Sequence, residues 1–343
     1  MKKIAYLVPV LLATLLASCT EPIEFNGDAI EPYVVLISRP VSDSAVCVHL
    51  SHSRFFLDNT RPGPVTDATV TLTVNGVPTT GSYSSTAYND YGAYVFNVRP
   101  QVGDSLRVEA AVPGYDKLVS AGTRIPQAPE VEVLEFVIDT GDGVTYNEYG
   151  YIESDPIYYK VRFKVKSHSD NEFYSVRIRR AVRVGNGTEW WWDTTGFNGV
   201  MFQVNDPIVN SSSMEDVLDG YDGSFWGEEM VFGSELFVDG EHEFTAQFND
   251  WESGMTTDFT GLRVYLVVRA LSPELYRYEH TASNSGDFFD EIFGEPVQVY
   301  CNIDGGIGVF GASTSKRFDL PAPRFEHFPH NNGYYFKSSQ KRK

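Results

Sequence analysis

The sequence predicts an all-β chain folded as two β-sandwich domains, a smaller one followed by a larger one with one or two short helices. Three observations carry this. Apolar and polar residues alternate with a period of two through most of the chain, turn signals return about every 8 to 12 residues, and helical patterns are few. Once an 18-residue leader is set aside from the 343 residues, the remainder exceeds one sandwich, and two domains are the natural division.

The leader is "MKKIAYLVPVLLATLLASC". Lys2 and Lys3 precede an apolar run from Ile4 to Leu16, and small residues lead to Cys19. This is the three-part layout of a secretory signal, and it is too short and wrongly flanked for a spanning helix. Leu16-Ala17-Ser18-Cys19 resembles the bacterial lipobox, in which the cysteine becomes the first mature residue and carries the lipid. Residues 1–18 are therefore expected to be removed, Cys19 to be lipidated, and 19–29 to be a tether. Several acyl chains hold a protein firmly on a membrane, since each buried CH₂ contributes ~0.8 kcal/mol.

The first sandwich is expected over residues 30–127. In "DATVTLTVNG", Ala68, Val70, Leu72 and Val74 share one face and threonines the other, and Asn75-Gly76 makes the turn. "GAYVFNV" and "DSLRVEAAVPGY" repeat the alternation. The proline-rich "RIPQAPEVEV", with Pro126 and Pro129, suits an extended exit. Longer strands come next, in a domain expected over 128–323. In "IYYKVRFKVKSH", Tyr158, Lys160, Arg162, Lys164 and Lys166 share a wet face, opposite Tyr159, Val161, Phe163 and Val165. "FYSVRIRRAVRV", "HEFTAQF" and "GLRVYLVVRAL" continue the pattern. Ser272 and Pro273 read as cap and first turn of a helix in "SPELYRYEHTAS", with Glu274 favourable near its start; "SMEDVLDG" is a second short candidate. Residues 324–343 read as a tail with a basic end, "KSSQKRK".

Without its leader the chain carries 25 basic against 46 acidic side chains, a net charge of −21. So acidic a body repels phosphate backbones, and nucleic acid is not an expected partner. Cys47 and Cys301 both lie in strand-like runs, where a disulfide and two plain buried thiols are both open readings.

Motifs for catalysis are weak. Gly306-x-Gly308-x-x-Gly311 has the spacing of a dinucleotide loop, but the downstream "ASTSKRFDLPAPRF" offers no helix whose N-terminus could meet a pyrophosphate. A turn or bulge explains the glycines instead. His49-x-x-His52 on a strand sends its rings to opposite faces, and the other histidines are scattered. No Gly-x-Ser-x-Gly occurs, neither cysteine has a neighbouring histidine, and no carboxylate pair stands out. The acidic loops at 139–155 and 216–229 break the calcium-loop register. A non-catalytic chain with no cofactor and no metal is expected.

The candidate ligand-binding residues are Trp190, Trp191, Trp192 and Trp226. Three consecutive tryptophans on a strand cannot all enter one core, so at least one belongs at a surface or an interface. Such rings stack on sugars or apolar ligands and anchor partners; the competing role is a packed strand or a cap over the sandwich.

The blocks "GLRVYLVVRALSPELYRY" and "EPVQVYCNIDGGIGVFGAST" resemble the closing signature of a family of Bacteroidota outer-membrane lipoproteins described only as a domain of unknown function, number 4249. "PYVVLISRPVSDSAVCVHLSHS", "NEFYSVRI" and "FGSELFVDGEHEF" match it too, so the resemblance spans nearly the whole mature chain. The first domain also resembles transthyretin-like and carboxypeptidase-regulatory sandwiches. The family resemblance implies lipid anchoring in the outer membrane, on its periplasmic or its cell-surface side. It also implies a TonB-dependent transporter as partner, since members are often encoded beside one. It carries no catalytic residues. Surface carbohydrate binding or degradation is the alternative function.

Overall fold

The structure is a computed structural model that describes residues 31–54, 63–139, 144–146, 152–154, 157–169, 171–185, 190–193, 199–209, 224–250, 262–283 and 298–326. Tyr33–Ser53 and Pro62–Lys343 form one compact unit. The leader, Cys19, the tether and residues 327–343 lie outside the described residues, as does the helix candidate "SMEDVLDG".

The chain is all-β, with two sandwiches. The first opens with β1 (Val34–Ser38), β2 (Val46–His52), β3 (Thr69–Val74), β4 (Val77–Thr80), β5 (Ser82–Ser84), β6 (Ala93–Phe96), β7 (Ser105–Ala111), β8 (Leu118–Ser120) and β9 (Thr123–Arg124). Alternation sets the faces: Val34, Leu36, Val46, Val48, Leu50, Val70, Leu72 and Val108 are buried while their strand neighbours are not. Asn75 and Gly76 both take positive φ, 50° and 84°, which the tight β3–β4 hairpin requires.

The second sandwich continues with β10 (Glu130–Asp139), β11 (Val144–Tyr146), β12 (Ile152–Ser154), β13 (Ile157–Lys166), β14 (Phe173–Gly185), β15 (Trp190–Asp193), β16 (Gly199–Val200), β17 (Phe202–Val204), β18 (Phe225–Gly227), β19 (Met230–Gly233), β20 (Glu241–Asp250), β21 (Leu262–Leu271) and the helix α1 (Pro273–Ser283). The chain ends in β22 (Ile303–Asp304), β23 (Ile307–Phe310), β24 (Ser313–Asp319) and β25 (Arg324–Phe325). One sheet runs β18-β17-β20-β13-β10-β25; the other runs β15-β14-β21-β24, with β16 and β19 also on β14. Between them Phe163, Phe244, Phe202, Phe232, Val176 and Leu266 are fully enclosed. The wet face of β13 is knitted to its neighbours by charge, through Lys164–Glu241 at 2.7 Å and Arg162–Glu243 at 3.1 Å.

The structure departs from the sequence boundaries at the C-terminal end. Residues 302–312, placed by sequence in the second domain, complete the first. β23 joins β1 in parallel in a sheet ordered β23-β1-β2-β6-β5, and β22 joins β8 in the facing sheet, β22-β8-β7-β3-β4, where β9 also pairs with β7. Ile303, Phe310 and Ala312 enter that core. Arg324 and Phe325, expected in the tail, pair with Val137 and Ile138 of β10. Non-local pairing of this kind leaves no trace in local periodicity, which is why the boundaries shift.

The glycine block now has a mechanical reason. A Cβ on Gly305 would lie 2.5 Å from the Lys117 carbonyl, and one on Gly306 2.6 Å from that of Val34. Gly308, at φ 128°, would press one into the Leu36 carbonyl, and Gly311 would place one 2.7 Å from the Leu275 nitrogen. Buried Asn302 fastens the hairpin: its Nδ2 donates to the Phe310 carbonyl and its Oδ1 accepts from the Phe310 N–H, both at 2.9 Å.

Past Gly311 the same strand path crosses into the second sandwich. Ser313 N donates to the Pro40 carbonyl and Ser42 N to the Ser313 carbonyl. Thr314 Oγ1 donates to Pro126 O at 2.7 Å, and Thr123 Oγ1 to Glu274 Oε2 at 2.9 Å. Ser272 caps α1 as expected and also holds the crossing: its Oγ accepts from Leu275 N at 3.4 Å and from Ala312 N at 3.1 Å.

Candidate functional site

The four tryptophans fall at sheet ends of the second sandwich, on two different sheets. Trp190, Trp191 and Trp192 form most of β15, whose backbone pairs with β14 so that Trp192 opposes Arg183, Trp191 opposes Val184 and Trp190 opposes Gly185. Trp226 is the middle residue of β18, at the end of the other sheet, opposite Gln203. Phe202 and Val204 of β17 face the core, so Gln203 and Trp226 face outward, and Trp226 is 49% exposed.

Polar, uncharged groups stand beside it. Gln203 donates through Nε2 to Ser224 Oγ at 2.7 Å and pairs across the sheet with Gln247. An indole half in water, opposite the Gln203 carboxamide that bonds the Ser224 hydroxyl, can stack on a ring or an apolar side chain while the amide fixes its orientation. Phe225 points the other way and packs against Phe202, with centroids 5.4 Å apart. The inward ring pins the strand that presents the outward one.

The connection from β18 to β19 is locked harder still, by a feature the sequence reading did not single out. Glu229 leads into β19 with its carboxylate bonded to Arg177 of β14 and, at 2.5 Å, to Arg269 of β21. Arg269 also holds Glu279 of α1 at 2.7 Å and donates through Nε to Ser175 Oγ at 2.9 Å. Burial pushes the Glu229 carboxyl upward, but the guanidinium of Arg269 and then that of Arg177 outweigh it, so Glu229 titrates below the usual range. Glu279 goes the other way. Its burial is the larger effect, only partly offset by Arg269, and repulsion from Glu229 adds to it.

Two carboxylates with divided acidities are the raw material of acid–base chemistry. Here, however, both are engaged by one arginine beneath a helix, and a cavity of about 340 Å³ lies on the opposite sheet, lined by Leu134, Glu135, Phe136, Arg162, Pro321 and Arg324. The cluster serves as a clasp joining β14, β21, the β18–β19 connection and α1. An arginine embedded in the apolar run "VYLVVRAL", and a glutamate on the helix just after it, were the available signals.

The remaining candidates are dispersed. His49 contacts the Gly92 carbonyl at 2.7 Å, His52 packs on Tyr115, His168 meets Glu130 and Glu172, and His242 meets Asp206 at 2.8 Å. Cys47 and Cys301 are free thiols, so the disulfide reading fails, and the buried-thiol reading fails for Cys301, which is exposed; Cys47 is half-buried, and that burial raises its pKa. Among the described residues no trio of His, Cys, Asp or Glu is grouped to hold a metal ion. No helix among them is long and apolar enough to cross a membrane. The acidic loops at 139–155 and 216–229 lie largely outside the described residues.

A family model described as Domain of unknown function (DUF4249) matches residues 20–319. The chain belongs to this family. The match begins one residue after Cys19 and runs through both sandwiches to the last residue of β24, so the DUF4249 unit includes the returning hairpin as well as the Trp226 edge. No curated protein matches the chain.

Proposed function

We propose that this DUF4249 chain is an outer-membrane lipoprotein, anchored through Cys19, that acts as a non-catalytic docking accessory to a TonB-dependent nutrient transporter. The leader and Cys19 supply the anchor in this reading. The observation that carries the docking role is the presentation of Trp226: a half-exposed indole on an end strand, pinned by Phe225 below and by the Glu229 clasp behind. Partner anchors have this form, an aromatic held rigid before binding so that little entropy is lost on contact. Anchoring beside a pore then raises the local concentration of the module without further contacts.

The test is co-purification of the tagged, lipidated protein from mildly solubilised native outer membranes, followed by mass spectrometry. A transporter in near-stoichiometric yield is expected, with Trp226→Ala lowering that yield. Recovery of the protein alone would overturn the reading. The Gln203 amide opposite Trp226 favours a second function, binding of surface carbohydrate. It predicts that Trp226→Ala weakens glycan retention at an unchanged melting temperature; equal retention by both proteins would remove it.

A further inference from the structure

The four exposed tyrosines among the described residues, Tyr33, Tyr88, Tyr91 and Tyr115, all lie at one end of the first sandwich. They are 54%, 42%, 48% and 40% exposed, and their spacing in the sequence gives no hint that they meet. The register brings them together. Tyr33 immediately precedes β1, and its carbonyl accepts from Ser53 N, just past the end of β2. Val48 pairs with Tyr94, so the β5–β6 loop that carries Tyr88 and Tyr91 lies at the same end of β2. His52 packs on Tyr115 with centroids 5.2 Å apart. Ile307, 39% exposed, adjoins this end by pairing with Val35, and the preceding Gly305-Gly306 turn lies against Lys117 and Val34.

The β5–β6 loop is built to hold its rings outward. Tyr88, Asn89 and Asp90 are successive left-handed residues, at φ 58°, 54° and 64°. Asparagine and aspartate tolerate that region and tyrosine seldom enters it. It is held there by Tyr91 N to Tyr88 O at 3.2 Å, by Gly92 N to Ala87 O at 3.0 Å, and by the His49 ring stacked on Tyr88 at 5.0 Å.

Tyr33, the first residue of the compact unit, stands at this end. Tyr33 comes fourteen residues after Cys19, a reach of ~50 Å when fully extended and far less when relaxed. The second sandwich joins the opposite end, beyond Ser38 and Thr123. We infer that the tyrosine end of the first sandwich is a membrane-resting face, with Tyr33, Tyr88, Tyr91, Tyr115 and Ile307 seated among the headgroups of the bilayer that holds the Cys19 lipid. The inference rests on the lipoprotein reading above and adds an orientation to it. Tyrosine suits that layer because its ring is apolar and its hydroxyl stays wet. Asp90 and Asp116 share these turns and Lys117 is paired with Glu109 at 2.6 Å, so burial of the rings rather than attraction to anionic lipid drives the contact.

Hydrogen exchange tests it, with the lipidated chain on phosphatidylethanolamine–phosphatidylglycerol vesicles compared with the full mature chain carrying Cys19→Ser in buffer. Exchange in the turns at 86–92 and 113–117 is expected to slow about threefold or more on vesicles, with the β3–β4 turn at the far end unchanged. A lipidated variant with Tyr33, Tyr88, Tyr91 and Tyr115 all changed to Ser should still float with the vesicles and lose the slowing. Flotation without slowing in the wild type, or slowing that survives the four substitutions, overturns the membrane face and leaves the anchor standing. Slowing seen only in native membranes and absent on pure lipid assigns the face to a protein partner and overturns it as well. A wild-type chain that does not float removes the anchor and the face together.

Discussion

Asn302 shows how one side chain can stand in for a strand. Its carboxamide takes both backbone hydrogen bonds of Phe310, and the site is buried. Asn302→Ala should therefore leave a buried N–H and C=O unpaired and cost ~2–3 kcal/mol in urea denaturation. Gly308→Ala should cost at least as much, on the order of 3 kcal/mol, because its φ of 128° and the Leu36 carbonyl leave no room for a Cβ. Glu229→Gln should cost on the order of 2 kcal/mol near neutral pH by leaving Arg177 and Arg269 without their shared anion. Since the Glu229 pKa is lowered by folding, its contribution is present above the ordinary carboxylate pKa and fades as pH falls through the lowered value; the penalty of the substitution should shrink in acid accordingly. A penalty that does not change with pH would contradict the clasp. Glu279, with its pKa raised, has the opposite sign, so its stabilising effect grows as pH falls through the raised value. The glycine spacing was visible in the sequence, but the atoms each glycine meets belong to Val34, Leu36, Lys117 and Leu275, all distant along the chain.

Elements with local causes were legible. β13 runs Ile157–Lys166 with the wet and dry faces its alternation predicts, the β3–β4 hairpin turns at Asn75-Gly76, and α1 begins at Pro273 behind Ser272. Ser272→Ala should remove both a cap and the bond from Ala312 N, costing about 1–2 kcal/mol by thermal or chemical denaturation, more than a cap alone. The tryptophan segment was legible only as a strand. Its pairing with β14, and the placing of Trp226 on the other sheet, depend on two crossings between sheets, from β16 to β17 and from β18 to β19, that no short window contains.

At the scale of the molecule, fold class follows from periodicity, whereas completion of the first sandwich by residues from the far end of the chain does not. Each core is bounded by its own pair of sheets, yet the crossing from Gly311 to Thr314 bonds to Ser38, Pro40, Pro126 and Ser272. Through these bonds the C-terminal crossing makes the two sandwiches one cooperative body. Differential scanning calorimetry of the full mature chain should therefore show one transition whose calorimetric and van't Hoff enthalpies agree. Two resolved transitions, with the first sandwich melting independently of the second, would contradict it.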